Sequence, residues 1–230
     1  MNKIIVIEGT DCSGKETQSK LLIEKLKQDL IDVEYIDFPN YNSPTGKIIA
    51  GPYLGKEDVD EKGNRLFYKP LFSEGASNVN PKVSSLYYAA DRLYNMEKIT
   101  KTLETKNIIL DRYSYSNMAH QGGKILDQKE RGKMYKWVDE LEFGLLKLPH
   151  ADIKIFLHMP YEYVCELKKN RQNLDQNEID ESYLKNSEKA YLEIASNYDF
   201  KTIECVCNNN IRTIEDINEE LYHYVKSKLK

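Results

Sequence analysis

Short apolar runs alternate along this chain with longer stretches in which apolar residues recur at helical spacing. Lys3 to Ile7 is a β-branched run that breaks at Gly9-Thr10-Asp11-Cys12-Ser13-Gly14, and Leu22, Leu26 and Leu30 then follow on one helical face. Val33 to Phe38 alternates as a second strand and stops at Pro39, before a loop and a short helix over about Thr45 to Leu54. Residues 55–82 hold no sustained period and read as a long loop or small insertion. Ser84 to Leu103 reads as helix, Asn107 to Leu110 as a third strand closed by Asp111-Arg112, and about Lys129 to Leu148 as helix again. Ile153 to His158 alternates as a fourth strand, Pro160 opens a helix, and 168–180 is a polar stretch, bracketed by helical patterns, that is able to move. Ser182 to Ser196 is helical in pattern, Thr202 to Val206 is a fifth strand, and Thr213 to Asp216 starts the last helix with a capping-box-like signal.

Short buried strands alternating with helices predict an α/β fold: a five-stranded parallel sheet with helices on both faces, in one domain over 1–230. Ligands of such sheets bind beyond the C-terminal ends of the strands, which places Asp11, Pro39 and Asp111 along one edge.

The 33 basic and 37 acidic side chains among 230 residues leave a formal charge of −4. That balance gives no broad field for nucleic acid or an anionic membrane, so an anionic ligand must be gripped locally. No apolar run approaches the ~18 residues of a spanning helix. The first strand is too short for a signal peptide, and the four cysteines are too scattered for a disulfide framework. A cytoplasmic chain with reduced thiols is expected. Cys205 and Cys207 would share a face of the fifth strand, without a second ligand pair nearby to complete a metal site.

Gly9 to Lys15 fits the phosphate loop G-x-x-x-x-G-K, between a strand and a helix as that motif requires. Its glycines let successive N–H groups curl round an anion, and Lys15 adds a positive charge at the β- and γ-phosphates. The Ser or Thr that normally binds Mg²⁺ is replaced by Glu16, whose carboxylate either ligates Mg²⁺ or, the favoured reading, faces solvent or a second shell at the helix N-terminus, with Thr17 the nearest hydroxyl. Asp111 closes an apolar strand like a Walker-B acid, and Arg112 reaches the same crevice. No N-K-x-D tetrapeptide is present to read guanine, and no stripe of aromatic and basic residues suggests a nucleic-acid groove.

Several motifs, in order, resemble the thymidylate (dTMP) kinase family of P-loop nucleoside monophosphate kinases. They are Ile7 to Asp11 with Gly14-Lys15-Glu16-Thr17-Gln18, then Phe38-Pro39, Ala90-Asp91-Arg92, and Asp111-Arg112-Tyr113 with Ser116, Gln121, Gly122 and Gly123. The resemblance implies transfer of the γ-phosphoryl of ATP to dTMP, giving dTDP and ADP, with Mg²⁺ and a homodimer. It implies ATP on Gly9, Thr10, Asp11, Cys12, Ser13, Gly14, Lys15, Glu16 and Thr17, and metal ligands or orienters among Asp11, Asp111 and Thr17. Asp11 would also lie near the acceptor, with Arg112 clamping the acceptor phosphate. Tyr88 would stack on the base and Arg92 would contact its edge, while Phe38, Pro39, Tyr41, Asn117, His120 and Gln121 complete the acceptor site. Because Cys12 stands where some relatives carry a loop arginine, the catalytic arginine is expected in the lid, as Arg171. Tyr41 stands where an arginine is common, and His120 where Phe or Tyr packs on the sugar. The competing readings are a kinase for another deoxynucleoside or deoxynucleotide, and a catalytically weakened nucleotide-binding homologue.

Overall fold

Strand β1 (Ile4–Gly9) is buried along its whole length, and this apolar run forms the middle of a five-stranded sheet. The structure, a computed structural model, describes residues 2–56, 58–59, 65–66, 69–168 and 181–229. Helix α1 (Lys15–Gln28) leads to β2 (Val33–Asp37). Helix α2 (Pro44–Ile48) continues into a π-helical turn over Ile49–Tyr53, and β3 (Asp58–Val59) and β4 (Arg65–Leu66) pair as a small antiparallel hairpin. Helices α3 (Pro81–Tyr94) and α4 (Met96–Leu103), β5 (Asn107–Asp111), α5 (Ser114–Gly122) and α6 (Gln128–Asp139) follow. A π-helical segment Glu140–Leu145 extends α6, and β6 (Ile153–His158), α7 (Tyr161–Lys168), α8 (Glu181–Asn197), β7 (Lys201–Glu204), the hairpin β8 (Val206–Cys207) and β9 (Asn210–Ile211), and α9 (Ile214–Leu229) complete the order.

The main sheet runs β2-β5-β1-β6-β7 with every pair parallel. Side chains alternate across it into two cores. Val6, Ile108, Leu110 and Phe156 meet Met118, Tyr135, Val138 and Ile194 on one face, while Ile5, Ile7, Ile109 and Leu157 meet Leu22, Leu26, Leu221 and Val225 on the other. Each fully buried aliphatic or aromatic side chain contributes about 1.5–3 kcal/mol. Both faces are therefore sealed, and only the strand ends remain for chemistry.

The five predicted strands fall where the alternation put them, while the two small hairpins and three further features differ from the sequence reading. The helix expected over Ser84 to Leu103 is broken at Asn95, whose amide nitrogen bonds Asp91 O and whose Oδ1 accepts from Asn40 Nδ2 at 2.7 Å. Helix α5 was not anticipated, because all but one of its nine residues are buried and no amphipathic stripe exists. The fifth strand ends at Glu204, so Cys205 is buried while Cys207 is exposed in β8, and the two thiols do not share a face. None of the four cysteines forms a disulfide. Within 55–82, Ala76 and Val79 pack with Ile49, Tyr53 and Leu54 in a core of their own. No described helix is long and apolar enough to cross a membrane.

Candidate active site

The loop between β1 and α1 takes its shape from two glycines. A Cβ on Gly9 would lie 2.8 Å from Leu157 O and 2.5 Å from Ser13 Oγ, and Gly14 has φ +75°, a left-handed conformation that costs glycine nothing. Cys12 adopts φ +57° in the same turn. Thr10 turns its hydroxyl away from the loop, donating to Met159 O at 2.8 Å and accepting from Met159 N at 2.9 Å, so it ties the loop to β6 and offers an anion only its backbone. Lys15 is buried and its Nζ donates to Gly9 O and Thr10 O, both at 2.9 Å. Burial, reinforced by Arg112, pushes the Lys15 ammonium down to about 8 against the pull of Asp11, Asp111 and Glu8. Glu16 is exposed and pairs with Lys20 at 2.5 Å.

Beyond the tips of β2, β5 and β1 opens a cavity of 530 Å³. Phe38, Pro39, Tyr41, Tyr88, Arg92, Arg112, Asn117, His120 and Gln121, all expected at the acceptor, line it together with Asp11 and Asp111. The chain gathers these groups by topology, since Asp37 and Asp111 are register partners at the ends of β2 and β5. Thr17 is exposed on α1 and does not line the cavity, which separates it from the carboxylates with which it was grouped as a metal ligand. Arg171 and the lid at 168–180 lie outside the described residues, apart from the backbone of Lys168.

Arg112, held at φ +66°, stands at the centre of a buried polar network. Its Nη2 donates to Asp11 Oδ1 at 3.3 Å, and its Nη1 reaches Tyr191 Oη at 3.2 Å and His120 Nε2 at 3.1 Å. Burial and the Arg112 charge push His120 down to about 3, so the ring is neutral. An arginine can only donate, so His120 Nε2 accepts and its proton sits on Nδ1, 3.0 Å from Tyr183 Oη. Beneath Arg112 lies Glu8, which the motif contains but to which the sequence reading gave no role. Its Oε1 accepts from Tyr113 N at 2.8 Å and Ser116 N at 3.0 Å, its Oε2 accepts from Ser116 Oγ, and it thereby caps α5. Burial, opposed by these hydrogen bonds and by Arg112, lifts the Glu8 carboxyl to about 7.

Three helices build the other end of the cavity. Arg92 from α3 meets Glu142 from the π-helical segment in a two-point pair, Nε to Oε2 at 2.5 Å and Nη2 to Oε1 at 2.6 Å. Glu142 also accepts from Ser114 Oγ at 2.6 Å and Asn117 Nδ2 at 2.7 Å. With Asn117 Nδ2 turned to Glu142 and Ser85 O, its Oδ1 is left buried without a partner among the described residues, as is Gln121 Oε1. Such atoms call for a donor from a ligand or from water. Tyr88 is half-buried and edge-on to Tyr53, with ring centroids 5.9 Å apart. Asp91 fastens the loop after β2 to α3, accepting from Asn40 N at 2.8 Å and from Ser43 Oγ and Thr45 Oγ1 at 2.7 Å.

Glu142, Lys56, Asp37 and Tyr35 also belong to this site and were missed in the sequence. Lys56 and Asp37 line the cavity, and Tyr35 donates to Asp111 Oδ2 at 3.0 Å. Burial, with Asp111 and Glu16 close by, raises the Asp37 carboxyl. The only hint of Glu142 was helical spacing, since it falls four residues after Val138 on the buried face.

Comparison with known proteins agrees with this geometry. The sequence model of the family described as thymidylate kinase matches residues 7–70 and 70–217. The probable thymidylate kinase of Methanocaldococcus jannaschii is 28% identical over 226 residues, covering 98% of this chain and 97% of that one. The thymidylate kinase of Plasmodium falciparum is 32% identical over 163 residues, covering 70% of this chain and 63% of that one. A solved thymidylate kinase from Candida albicans superposes with a TM-score of 0.71 at 22% identity, over 98% of this chain and 92% of that one, which shows a shared fold. With the phosphate loop, the acceptor-side cavity and the ordered motifs in one sheet edge, the chain belongs to the thymidylate kinase family.

Proposed function

We propose that the protein transfers the γ-phosphoryl of ATP to the 5′-phosphate of dTMP. The observation that supports this reading is a single cavity lined by Asp11 and Arg112 beside the phosphate loop and, toward its other end, by Tyr88, Arg92, Asn117 and Gln121, which on this reading face the acceptor phosphate and the base. Thymine offers one N–H flanked by two carbonyls. The unpartnered Asn117 Oδ1 and Gln121 Oε1 supply acceptors for the N–H, and Arg92 supplies donors for a carbonyl. An acceptor phosphate is already anionic at neutral pH, so no strong base is needed. The protein's task is to align two polyanions and offset their repulsion with Lys15, Arg112 and the lid arginine Arg171.

Asp11 and Asp111 present hard oxygen donors suited to Mg²⁺, which uses few protein ligands and keeps water and phosphate oxygens around it. Among the described residues no group of three or more His, Cys, Asp or Glu could enclose an ion, so Mg²⁺ would be shared with the phosphates, whose charge it would neutralise. The reading also places the enzyme in the cytoplasm, with its substrates and reduced thiols, and makes it a homodimer. Along α3, Val83, Leu86, Leu93 and Tyr94 are exposed at spacings that put them on one stripe, and a second copy of the same stripe packed two-fold would cover it.

Incubation with ATP and a panel of nucleoside monophosphates tests the activity. ADP release should be fastest with dTMP and should vanish in Lys15→Ala; release with another acceptor but not with dTMP would reject the substrate.

A further inference from the structure

We propose that Lys124 is a positioning residue for the acceptor's base: it ties the end of α5 to α3 and to the return limb of the 55–82 segment, and so sets the spacing of two helices that line the cavity. The inference rests on the reading that a thymine base lies against those helices. Tyr88 and Arg92 come from α3, Asn117 and Gln121 from α5, and all four line the cavity. Lys124 stands just past the end of α5. The backbone around it is fixed, with Gly123 N donating to Ala119 O at 2.8 Å and Ile125 N to Gly122 O at 2.9 Å. From there Lys124 Nζ donates to Ser84 Oγ of α3 at 3.1 Å, to Ala76 O at 2.9 Å and to Val79 O at 3.0 Å. An ammonium has three N–H bonds, and each of these meets a different oxygen.

These oxygens lead to the base wall. The Tyr53 hydroxyl meets two of them, Ala76 O at 3.0 Å and Ser84 Oγ at 2.8 Å. The Tyr53 ring packs against Phe72, with centroids 5.6 Å apart, and against Tyr87 and Tyr88, both at 5.9 Å, with Tyr88 edge-on. Ser84 precedes Tyr88 by one turn of α3. A change at Lys124 therefore reaches Tyr88 by two routes, along α3 and through the Tyr53 ring. Tyr53, Ala76, Val79 and Ser84 are all buried, so loss of the ammonium takes a donor from each of three oxygens inside the fold, and the turn and α3 must repack to replace it. The three partners are neutral, and burial pushes the ammonium down to about 7. The contact holds geometry and is not an ion pair.

Steady-state kinetics of wild type, Lys124→Met and Ser84→Ala tests this, at about pH 6 where the ammonium keeps its three protons, with thymidine as an inhibitor that carries the base without the phosphate. Lys124→Met should raise the KM for dTMP and the inhibition constant of thymidine together, by about fivefold or more, while kcat and the KM for ATP stay within about twofold. Ser84→Ala removes one shared oxygen and should move the same two constants the same way by about threefold, and it carries the test if Lys124→Met does not fold. A fall in Tm with both constants within about twofold of wild type assigns Lys124 to stability alone and overturns the proposal, as does an equal rise in the KM for ATP. Unchanged constants in Ser84→Ala overturn it too. Wild-type protein that neither turns over dTMP nor is inhibited by thymidine overturns the acceptor reading itself, a result distinct from normal wild-type turnover with unmoved constants in the variants.

Discussion

Replacing Glu142 by Gln is the sharpest perturbation of the acceptor wall. The Glu142 side chain is 0% exposed and that of Arg92 3% exposed, and the carboxylate receives four donors at 2.5–2.7 Å from Arg92, Ser114 and Asn117. A glutamine has the same shape but only one oxygen. Whichever way it turns, its NH₂ group faces an Arg92 N–H and one further donor, and the guanidinium is left buried without its counter-charge. Breaking a buried pair in this way costs about 3–5 kcal/mol. For a chain of this size each kcal/mol shifts Tm by about 2–4 °C, so thermal unfolding followed by circular dichroism should show a fall on the order of 10 °C. Arg92 and Asn117 lose their orientation together, so the KM for dTMP should rise more than about tenfold while that for ATP holds. A variant with Tm within about 2 °C of wild type and an unchanged dTMP KM would refute the idea that this pair carries the base wall.

Two further outcomes are expected. Glu8 titrates near 7 in the folded protein, above its unfolded value of 4.5, so its contribution is complete below 4.5 and lost as pH rises through 7, by about 3 kcal/mol in all. Urea unfolding across that range should therefore decline with pH more steeply for wild type than for Glu8→Gln, and parallel curves would contradict the burial argument. Leu86, 51% exposed in the α3 stripe, should matter to the proposed assembly and not to folding: wild type should sediment as a dimer and Leu86→Asp as a monomer, and equal sedimentation coefficients would remove this face as the interface.

What was legible in the sequence was what is local. The phosphate loop is a turn written in consecutive residues, and the strands Val33–Asp37 and Ile153–His158 show their burial as alternation. Helix α5 hid because nearly every side of it is buried, leaving no polar face to set a period. Glu142 hid because its meaning depends on Arg92, fifty residues away, and an isolated acid in a helix reads as solvated. Lys56 hid in an aperiodic segment, where only the fold reveals that its ammonium lies across Tyr41. Tyr88, Asn117 and Gln121 were reached through resemblance; in the structure all three line the cavity, and each of the two amides keeps a buried oxygen without a partner among the described residues.

The two ends of the site are held by different physics. On the cavity side, three buried carboxylates, Glu8, Asp91 and Glu142, each gather several N–H or O–H donors, so the wall around Arg92 and Arg112 is set before a ligand arrives. Little ordering is then left to oppose acceptor binding. On the donor side, Lys15 bonds two carbonyls of its own loop, and burial has already weakened its hold on the proton. A phosphate entering the loop can exchange those carbonyl contacts for a charged one and strengthen the ammonium's hold on its proton, so the loop end gains most from its ligand's charge. That division suits an enzyme that must accept a triphosphate for its charge and a monophosphate for its base.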